Sequence, residues 1–154
     1  QYQARRRTRH NLFYRTKMSI ERFIEGTPKP QPRPRAVARG GFARVYNPGT
    51  ADDWKQCVRD GFKDVRLDCE QVSVFFLFKM PRAKLHYNAR GELKPSAPRD
   101  HVKKPDVDNL AKAVLDALVD QGVIKDDSIV THLEVAKEYA TETEAGCLIK
   151  IKTA

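Results

Sequence analysis

The stretch that decides the fold reads HVKKPDVDNLAKAVLDALVDQGVIKDDSIVTHLEVAKEYA and covers residues 101–140. From Asp108 onward its apolar residues recur at intervals of three and four, which predicts an amphipathic helix. The apolar side of this helix is formed by Leu110, Ala113, Val114, Ala117 and Leu118. Gly122 predicts the helix end. Alternation at Ile129, Thr131, Leu133 and Val135 then predicts a strand. The stretch therefore specifies a helix followed by a strand.

Acidic residues open both of these elements. Asp106 and Asp108 flank Val107 directly after Pro105, and Asp126 and Asp127 precede the strand. If the Asp106 segment is extended, its two carboxylates point the same way. If Asp106 caps the helix, both carboxylates lie at the electropositive N-terminus. Clustered carboxylate oxygens are the ligands of hard divalent cations such as Mg²⁺.

Each of these features alone also has a common structural explanation. An Asp before a helix usually acts as a cap, and an acidic pair before a strand usually forms a turn. Asp108, Lys112 and Asp116 stand one helical turn apart on the side opposite the apolar residues, so Lys112 can pair with either aspartate. Asp116 needs no further role than that pair. Only the combination of these features favours a metal site.

The rest of the chain predicts one α+β domain with a mixed sheet and two main helices. Strands are expected at residues 20–26, 42–46, 72–79 and 147–152, in addition to the strand of the 101–140 stretch. Residues 72–79 are apolar on both faces, which predicts a central strand. Thr50 and Asp53 resemble a capping box that starts a helix with Trp54 and Val58 buried. The expected order is β-β-α-β-α-β-β.

Charge is distributed unevenly along the 154 residues. Residues 18–104 carry 18 Lys or Arg against 10 Asp or Glu, whereas residues 105–154 carry 5 against 10, within a net charge of +9. A positive body around a negative site suits a polyanion that is cut at a bound metal. The three cysteines are scattered and the four histidines lack metal-ligand spacing, so neither a disulfide framework nor a zinc site is indicated.

The motif KKPDVDNLAKAVLDAL, followed by an acidic pair and a strand that reaches Lys137, resembles the RusA-type Holliday junction resolvases. The resemblance is strong over residues 103–137 and weaker, but in order, from residue 20 to the C-terminus. It implies a Mg²⁺-dependent endodeoxyribonuclease, with Mn²⁺ as a substitute, that resolves four-way DNA junctions as a homodimer. By motif position, the metal-binding catalytic carboxylates fall on Asp106, Asp108 and Asp127, and the catalytic lysine falls on Lys112.

Candidate DNA contacts come from the loops around this motif. Prolines alternate with Lys29, Gln31, Arg33 and Arg35 over residues 28–35, which predicts a stiff extended loop. The family places such a loop near its substrate. Residues 82–104 form a second long irregular segment with seven Lys or Arg against two acids. We expect DNA contacts from Arg33, Arg35, Arg39, Arg44, Lys103 and Lys104, and from Lys137, which matches a family lysine.

Leu115 and Val119 lie beside the polar stripe of the predicted helix, which indicates a second packing neighbour. That neighbour is either the chain's own sheet or, as the resemblance favours, a partner subunit. Residues 1–17 form a basic N-terminal extension before the nuclease domain of residues 18–154. We expect Met18 to be the native start, and the alternative is a basic arm that contacts DNA. No membrane span or signal peptide is visible, so we expect a protein of the bacterial or phage-infected cytoplasm.

Two other functions remain open at the level of sequence. The first is a branched-DNA-binding module without nuclease activity, in which the carboxylates are structural caps. The second is a nuclease that acts on flaps or forks instead of four-way junctions.

Overall fold

The structure is a computed structural model that describes residues 18–46 and 48–153, so the predicted N-terminal extension at residues 1–17 lies outside the described part. The strands are β1 (Ser19–Glu25), β2 (Arg35–Arg39), β3 (Phe42–Tyr46), β4 (Val72–Met80), β5 (Val130–Tyr139) and β6 (Gly146–Thr153). The α-helices are α1 (Asp52–Gly61) and α2 (Val107–Gln121). Neither helix in the described ranges has the length and apolar character needed to traverse a bilayer.

A mixed four-stranded sheet with the order β1-β6-β4-β5 forms the body of the protein. β4 and β5 run parallel, and the other neighbouring strands are antiparallel. Every second residue of β4, from Val72 to Met80, is buried. The predicted α+β class, mixed sheet and central position of residues 72–79 are therefore confirmed.

Both helices pack on the same face of this sheet. Trp54 and Val58 of α1 are buried as predicted, and seven residues of α2 join them in one apolar core with alternate residues of β4 and β6. Leu115 is only 9% exposed, and Val119 packs against the same core. The second neighbour of α2 is therefore the chain itself, and these two residues give no evidence for a partner subunit at this helix.

The structure differs from the expected element order in one strand. The predicted loop over residues 28–35 ends earlier than expected, and Arg35–Arg39 forms β2, which pairs with β3 as a hairpin separate from the main sheet. No proline lies between Pro34 and Pro48, so every residue of β2 and β3 can donate a backbone hydrogen bond. Gly40 and Gly41 take φ angles of 58° and 82° at the turn, as a two-residue type I′ hairpin requires. The observed order is β-β-β-α-β-α-β-β.

The expected capping box at Thr50 is also absent. The N-cap of α1 is Ala51, and no side chain caps this helix end. Asp52 and Asp53 instead lie in the first turn. Their negative charges interact favourably with the helix dipole there, although no side chain forms a capping hydrogen bond.

The long segment between β4 and α2 is fastened to the end of β5. Arg82 donates hydrogen bonds to the carbonyls of Pro98 and Ala140, at 2.7 and 2.8 Å. The rings of His86 and His101 each lie edge-on to Tyr139, with centroids 4.8 Å away. Both histidines are buried. These contacts hold the basic segment beside the start of α2.

Protonation of these histidines should loosen this fastening. Burial is the main cause that lowers the pKa of both His86 and His101. Nearby cations lower it further. For His86 these are Arg82, Lys103 and Lys94, and for His101 they are Lys137 and Lys103. The unfolded state therefore binds more protons below the ordinary histidine pKa of 6.5, so stability falls as pH drops through that value.

We expect the melting temperature, followed by circular dichroism, to decline between about pH 6.5 and pH 5, before paired carboxylates such as Glu138 titrate. His101→Phe should flatten this decline because it removes one of the two titrating groups. The fold should tolerate this change because the His101 Nδ1 atom has no hydrogen-bond partner to lose. His132→Phe is the matched control, since His132 is exposed on β5. Equal slopes in the wild type and His101→Phe would contradict the prediction.

Candidate active site

The start of α2 carries a carboxylate that its own helix does not use. Asp106 is the N-cap residue, with an extended backbone at φ −77° and ψ 150°, but its side chain makes no capping hydrogen bond. Asp108 follows in the first turn and is exposed. Because the helix begins at Val107, both carboxylates lie at its electropositive end. Of the two geometries open from sequence, the helix N-terminus is the one observed.

A cleft of about 580 Å³ opens in front of Asp106. Its lining consists of Pro30, Arg33, Lys104, Pro105, Asp106 and Asn109. The proline-rich segment is fixed here because the Gln31 backbone N–H donates to the Asn109 carbonyl oxygen at 3.0 Å. The cleft thus places two cations beside one free carboxylate, an arrangement that attracts a phosphate group toward that carboxylate.

Lys112 connects the middle of α2 to the acidic pair before β5. Its Nζ atom lies 3.0 Å from Asp116 Oδ1 and 3.1 Å from Asp127 Oδ2. The hydrogen bond that Lys112 donates to Asp116, followed by the one that it donates to Asp127, raises the pKa of Lys112 above its usual value. Lys112 therefore stays cationic at any physiological pH. The predicted proximity of Lys112 and Asp127 is observed, and Asp116 shares the same ammonium group.

The two residues of the acidic pair have different structural roles. The Asp126 carboxylate accepts hydrogen bonds from the Ser128 hydroxyl at 2.7 Å and from the Asp127 backbone N–H at 2.9 Å. These bonds, that of Ser128 first, lower the pKa of Asp126. Asp126 thus caps the short 3₁₀ turn at residues 127–129. Capping by Asp126 leaves the carboxylate of Asp127 free to face α2.

The expected meeting of three carboxylates is not observed. Within residues 18–46 and 48–153, no group of three or more His, Cys, Asp or Glu side chains is arranged to hold a metal ion. Asp127 contacts Lys112, which stands six residues, or about 9 Å along the helix axis, beyond Asp106. Asp106 and Asp108 form no ion pair with any described residue. Asp127 therefore lies against the polar side of α2 and is not among the residues that line the cleft.

Lys137 is used inside the protein. Its ammonium group donates hydrogen bonds to the carbonyl oxygens of Lys103 and Pro105, the latter at 2.8 Å. These bonds fasten β5 to the backbone on both sides of Lys104, immediately before Asp106. In this conformation Lys137 holds the backbone just before the start of α2, whereas it was predicted to contact DNA.

The remaining predicted DNA contacts lie on two neighbouring surfaces. Arg33 and Lys104 line the cleft, and Lys103 is exposed beside it. Arg35 and Arg44 are exposed on the β2–β3 hairpin. Arg39 belongs to β2, but its side chain lies outside the described part.

One residue of the cleft, Asn109, and its backbone partner Gln31 received no role from the sequence. Asn109 lines the cleft directly after Asp108, and Gln31 has a buried Oε1 atom without a hydrogen-bond partner. Asn109 lies inside the quoted DVDN motif, so its place in that motif was an available signal. For Gln31 no signal existed, because only the contact between distant segments brings it to the helix.

Comparison with known proteins agrees with this arrangement. The family model described as Endodeoxyribonuclease RusA matches residues 25–152. The chain is also 30% identical over 142 residues to the uncharacterized protein YqaN of Bacillus subtilis (strain 168), a match that covers 85% of this chain and 95% of that protein. The matched range includes the cleft, the polar side of α2 and the acidic pair before β5. This chain belongs to the RusA endodeoxyribonuclease family.

Proposed function

We propose that this protein is a Mg²⁺-dependent endodeoxyribonuclease that resolves four-way DNA junctions by paired, symmetric nicks. Family membership supports a nuclease of branched DNA. The observation that carries the proposal is the carboxylate of Asp106, which makes no capping hydrogen bond and is exposed in a cleft with Arg33 and Lys104. A carboxylate with no structural partner, placed beside two phosphate-attracting cations, is suited to metal-assisted phosphodiester chemistry.

The donor chemistry of the helix start fits Mg²⁺, which usually takes one or two carboxylates and keeps several waters. Asp106 and Asp108 would hold the ion, and Mn²⁺ would substitute for it. When bound, the ion would activate a water and neutralise charge on the cut phosphate. We keep Asp127 as a third ligand in the proposal, which requires its ion pair with Lys112 to open.

The cations around the helix divide the remaining tasks. Arg33 and Lys104 hold the phosphate at the cleft, with Lys103 beside them. Lys112 stabilises developing negative charge or orients the attacking water. Lys112 is 49% exposed, and its partners Asp116 and Asp127 are 26% and 43% exposed. Each ion pair therefore contributes only about 0.2–1 kcal/mol and can open at little cost.

Resolution of a junction needs two symmetric cuts, so we propose a homodimer with one site per subunit. The open face of the main sheet is the surface that suits it. Phe23, Leu148, Leu77 and Ala136 lie side by side across the four strands on this face. The next row contains Glu21, Lys150, Phe75 and Glu134. An apolar row beside a row of mixed charge is self-complementary, as a two-fold interface requires.

A second candidate is a branched-DNA-binding module without nuclease activity. The absence of a three-carboxylate group among the described residues favours it. It predicts that Mg²⁺ yields no nicked product and that Asp127→Ala behaves like the wild type. A nuclease of flaps or forks differs only in substrate, so the same substrate panel separates it.

The deciding measurement is incubation with end-labelled four-way, Y-shaped and linear DNA, with and without Mg²⁺. We expect paired, symmetric cuts in the four-way DNA alone, and only with Mg²⁺. Asp108→Asn should abolish these cuts and keep junction affinity within about twofold, because the carboxylate serves the metal and basic residues bind the phosphates. Mg²⁺ should also raise the melting temperature of the wild type more than that of Asp108→Asn.

Asp53→Asn is the matched control, since Asp53 is an exposed aspartate in the first turn of α1. This variant should cut like the wild type. Loss of junction binding together with cleavage in Asp108→Asn would contradict the separation of roles.

Phe23→Glu should convert the dimer to a monomer, measured by size-exclusion chromatography with light scattering, because it places a charge in the apolar row. Phe23 lies on an edge strand and is 40% exposed, so the fold should tolerate the change. Leu85→Glu, at a residue that is 70% exposed on the loop before α2, is the control that should leave the mass unchanged. A dimeric Phe23→Glu variant, or a monomeric wild type, would contradict this interface.

A further inference from the structure

The β2–β3 hairpin has no partner within the described chain. It forms a separate two-stranded sheet, and every residue of β3 is exposed. A Cβ atom placed on Gly40 or Gly41 at its tip would meet nothing within 4 Å. Isolated two-stranded hairpins are only marginally stable in water. A partner is therefore expected to bind this hairpin.

The two faces of the hairpin differ in chemistry. In the register, Arg35 lies opposite Tyr46 and Val37 opposite Arg44, so these residues share one face. Phe42 belongs to the same face because it stands two residues before Arg44. The opposite face contains only Ala36, Ala38, Ala43 and Val45. One face is therefore basic and aromatic, and the other is small and apolar.

The charge around the hairpin favours a polyanion over a protein. Residues 26–51 contain five Lys or Arg and no acidic residue. Phe42 is 77% exposed and Tyr46 is 46% exposed between the arginines. Interleaved cations and aromatic rings are typical of surfaces that bind phosphates and stack on bases. A two-stranded ribbon also has the width to enter a DNA groove.

The base of the hairpin lies at the candidate cutting site. Arg33, two residues before β2, lines the cleft with Asp106. Five residues of strand span about 17 Å, which is the length of about five base-pair steps of DNA. Phe42, next to the tip, is therefore in reach of bases within about five steps of a phosphate held in the cleft.

We propose that the hairpin binds branched DNA through its basic face and that Phe42 stacks on a base at the branch point. This inference rests on the proposed action on branched DNA. Apolar side chains that enter DNA must pay for the unstacking of a base step. At a branch point the stack is already interrupted, so the phenyl ring gains contact there at a lower cost than in linear duplex. The ring would therefore add structure selectivity to the arginine contacts, which are not selective.

The test compares Phe42→Ala with Val45→Ala, a matched control on the opposite face of the same strand that is 72% exposed. Catalytically inactive Asp108→Asn protein is the background for binding, and four-way DNA carries 2-aminopurine at positions along one arm from the branch. We expect Phe42→Ala to lose about tenfold in four-way affinity, equivalent to about 1.4 kcal/mol. Its affinity for linear duplex should change less than twofold, and the fluorescence change at the branch should disappear. Val45→Ala and Phe42→Trp should retain both signals.

Three outcomes would overturn the proposal. They are unchanged junction binding in Phe42→Ala, an equal loss on linear and four-way DNA, and a Phe42→Ala protein of altered oligomeric mass, which would assign this face to a protein interface. The nuclease proposal fails separately. Fluorescence at the branch without Mg²⁺-dependent cutting by the wild type would refute the nuclease activity and leave the stacking contact intact. A wild type that binds no branched DNA would refute both.

Discussion

Burial of one side of α2 is the constraint on which the candidate site depends. Leu110, Val114 and Leu118 are fully buried against the sheet, and their burial fixes the rotation of the helix. The opposite side must then carry Asp108, Lys112 and Asp116 outward in one row. The same packing sets the helix start beside the proline-rich segment, where Asp106 faces the cleft. Geometry at the surface is thus a consequence of apolar packing beneath it.

Two positive centres on α2 then determine where the neighbouring carboxylates lie. The helix start supplies a positive end for Asp106 and Asp108, and Lys112 supplies a second positive centre that holds Asp127. Asp126 is occupied as a cap, so only Asp127 of the pair before β5 faces α2. Asp127 is therefore held at Lys112 and is not among the residues that line the cleft. Displacement of that ion pair is the step on which a three-carboxylate metal site depends.

Several polar groups support this site without facing it. Lys137 binds two backbone carbonyls before Asp106, and Tyr139 is flanked by two buried histidines that secure the basic segment. All of these contacts come from the last residues of β5. The parallel pairing of β4 and β5 therefore positions both the N-terminus of α2 and the basic segment that precedes it. Among the described residues, the open sheet face and the hairpin remain uncovered, and these are the surfaces proposed to bind a second copy and DNA.

The sequence by itself determined the elements with strong local patterns. The period of α2, its end at Gly122, the central strand from Val72 and the pairing of Lys112 with an acidic neighbour all follow from spacing along the chain. It failed at Arg35–Arg39, because this strand directly follows the proline-rich segment and its described side chains are exposed, so no buried apolar face marks it as a strand. It also failed at the capping box of α1, and it left the second neighbour of Leu115 open between the chain's own sheet and a partner subunit.

Only the tertiary structure decided which distant groups meet. Lys137 bonds to the carbonyls of Lys103 and Pro105, Gln31 bonds to Asn109, and Asp127 reaches Lys112 instead of Asp106. Local spacing determines which side of an element a residue occupies, since that depends on backbone geometry alone. Contacts between segments far apart in sequence depend on how the elements pack, and no local pattern encodes that packing.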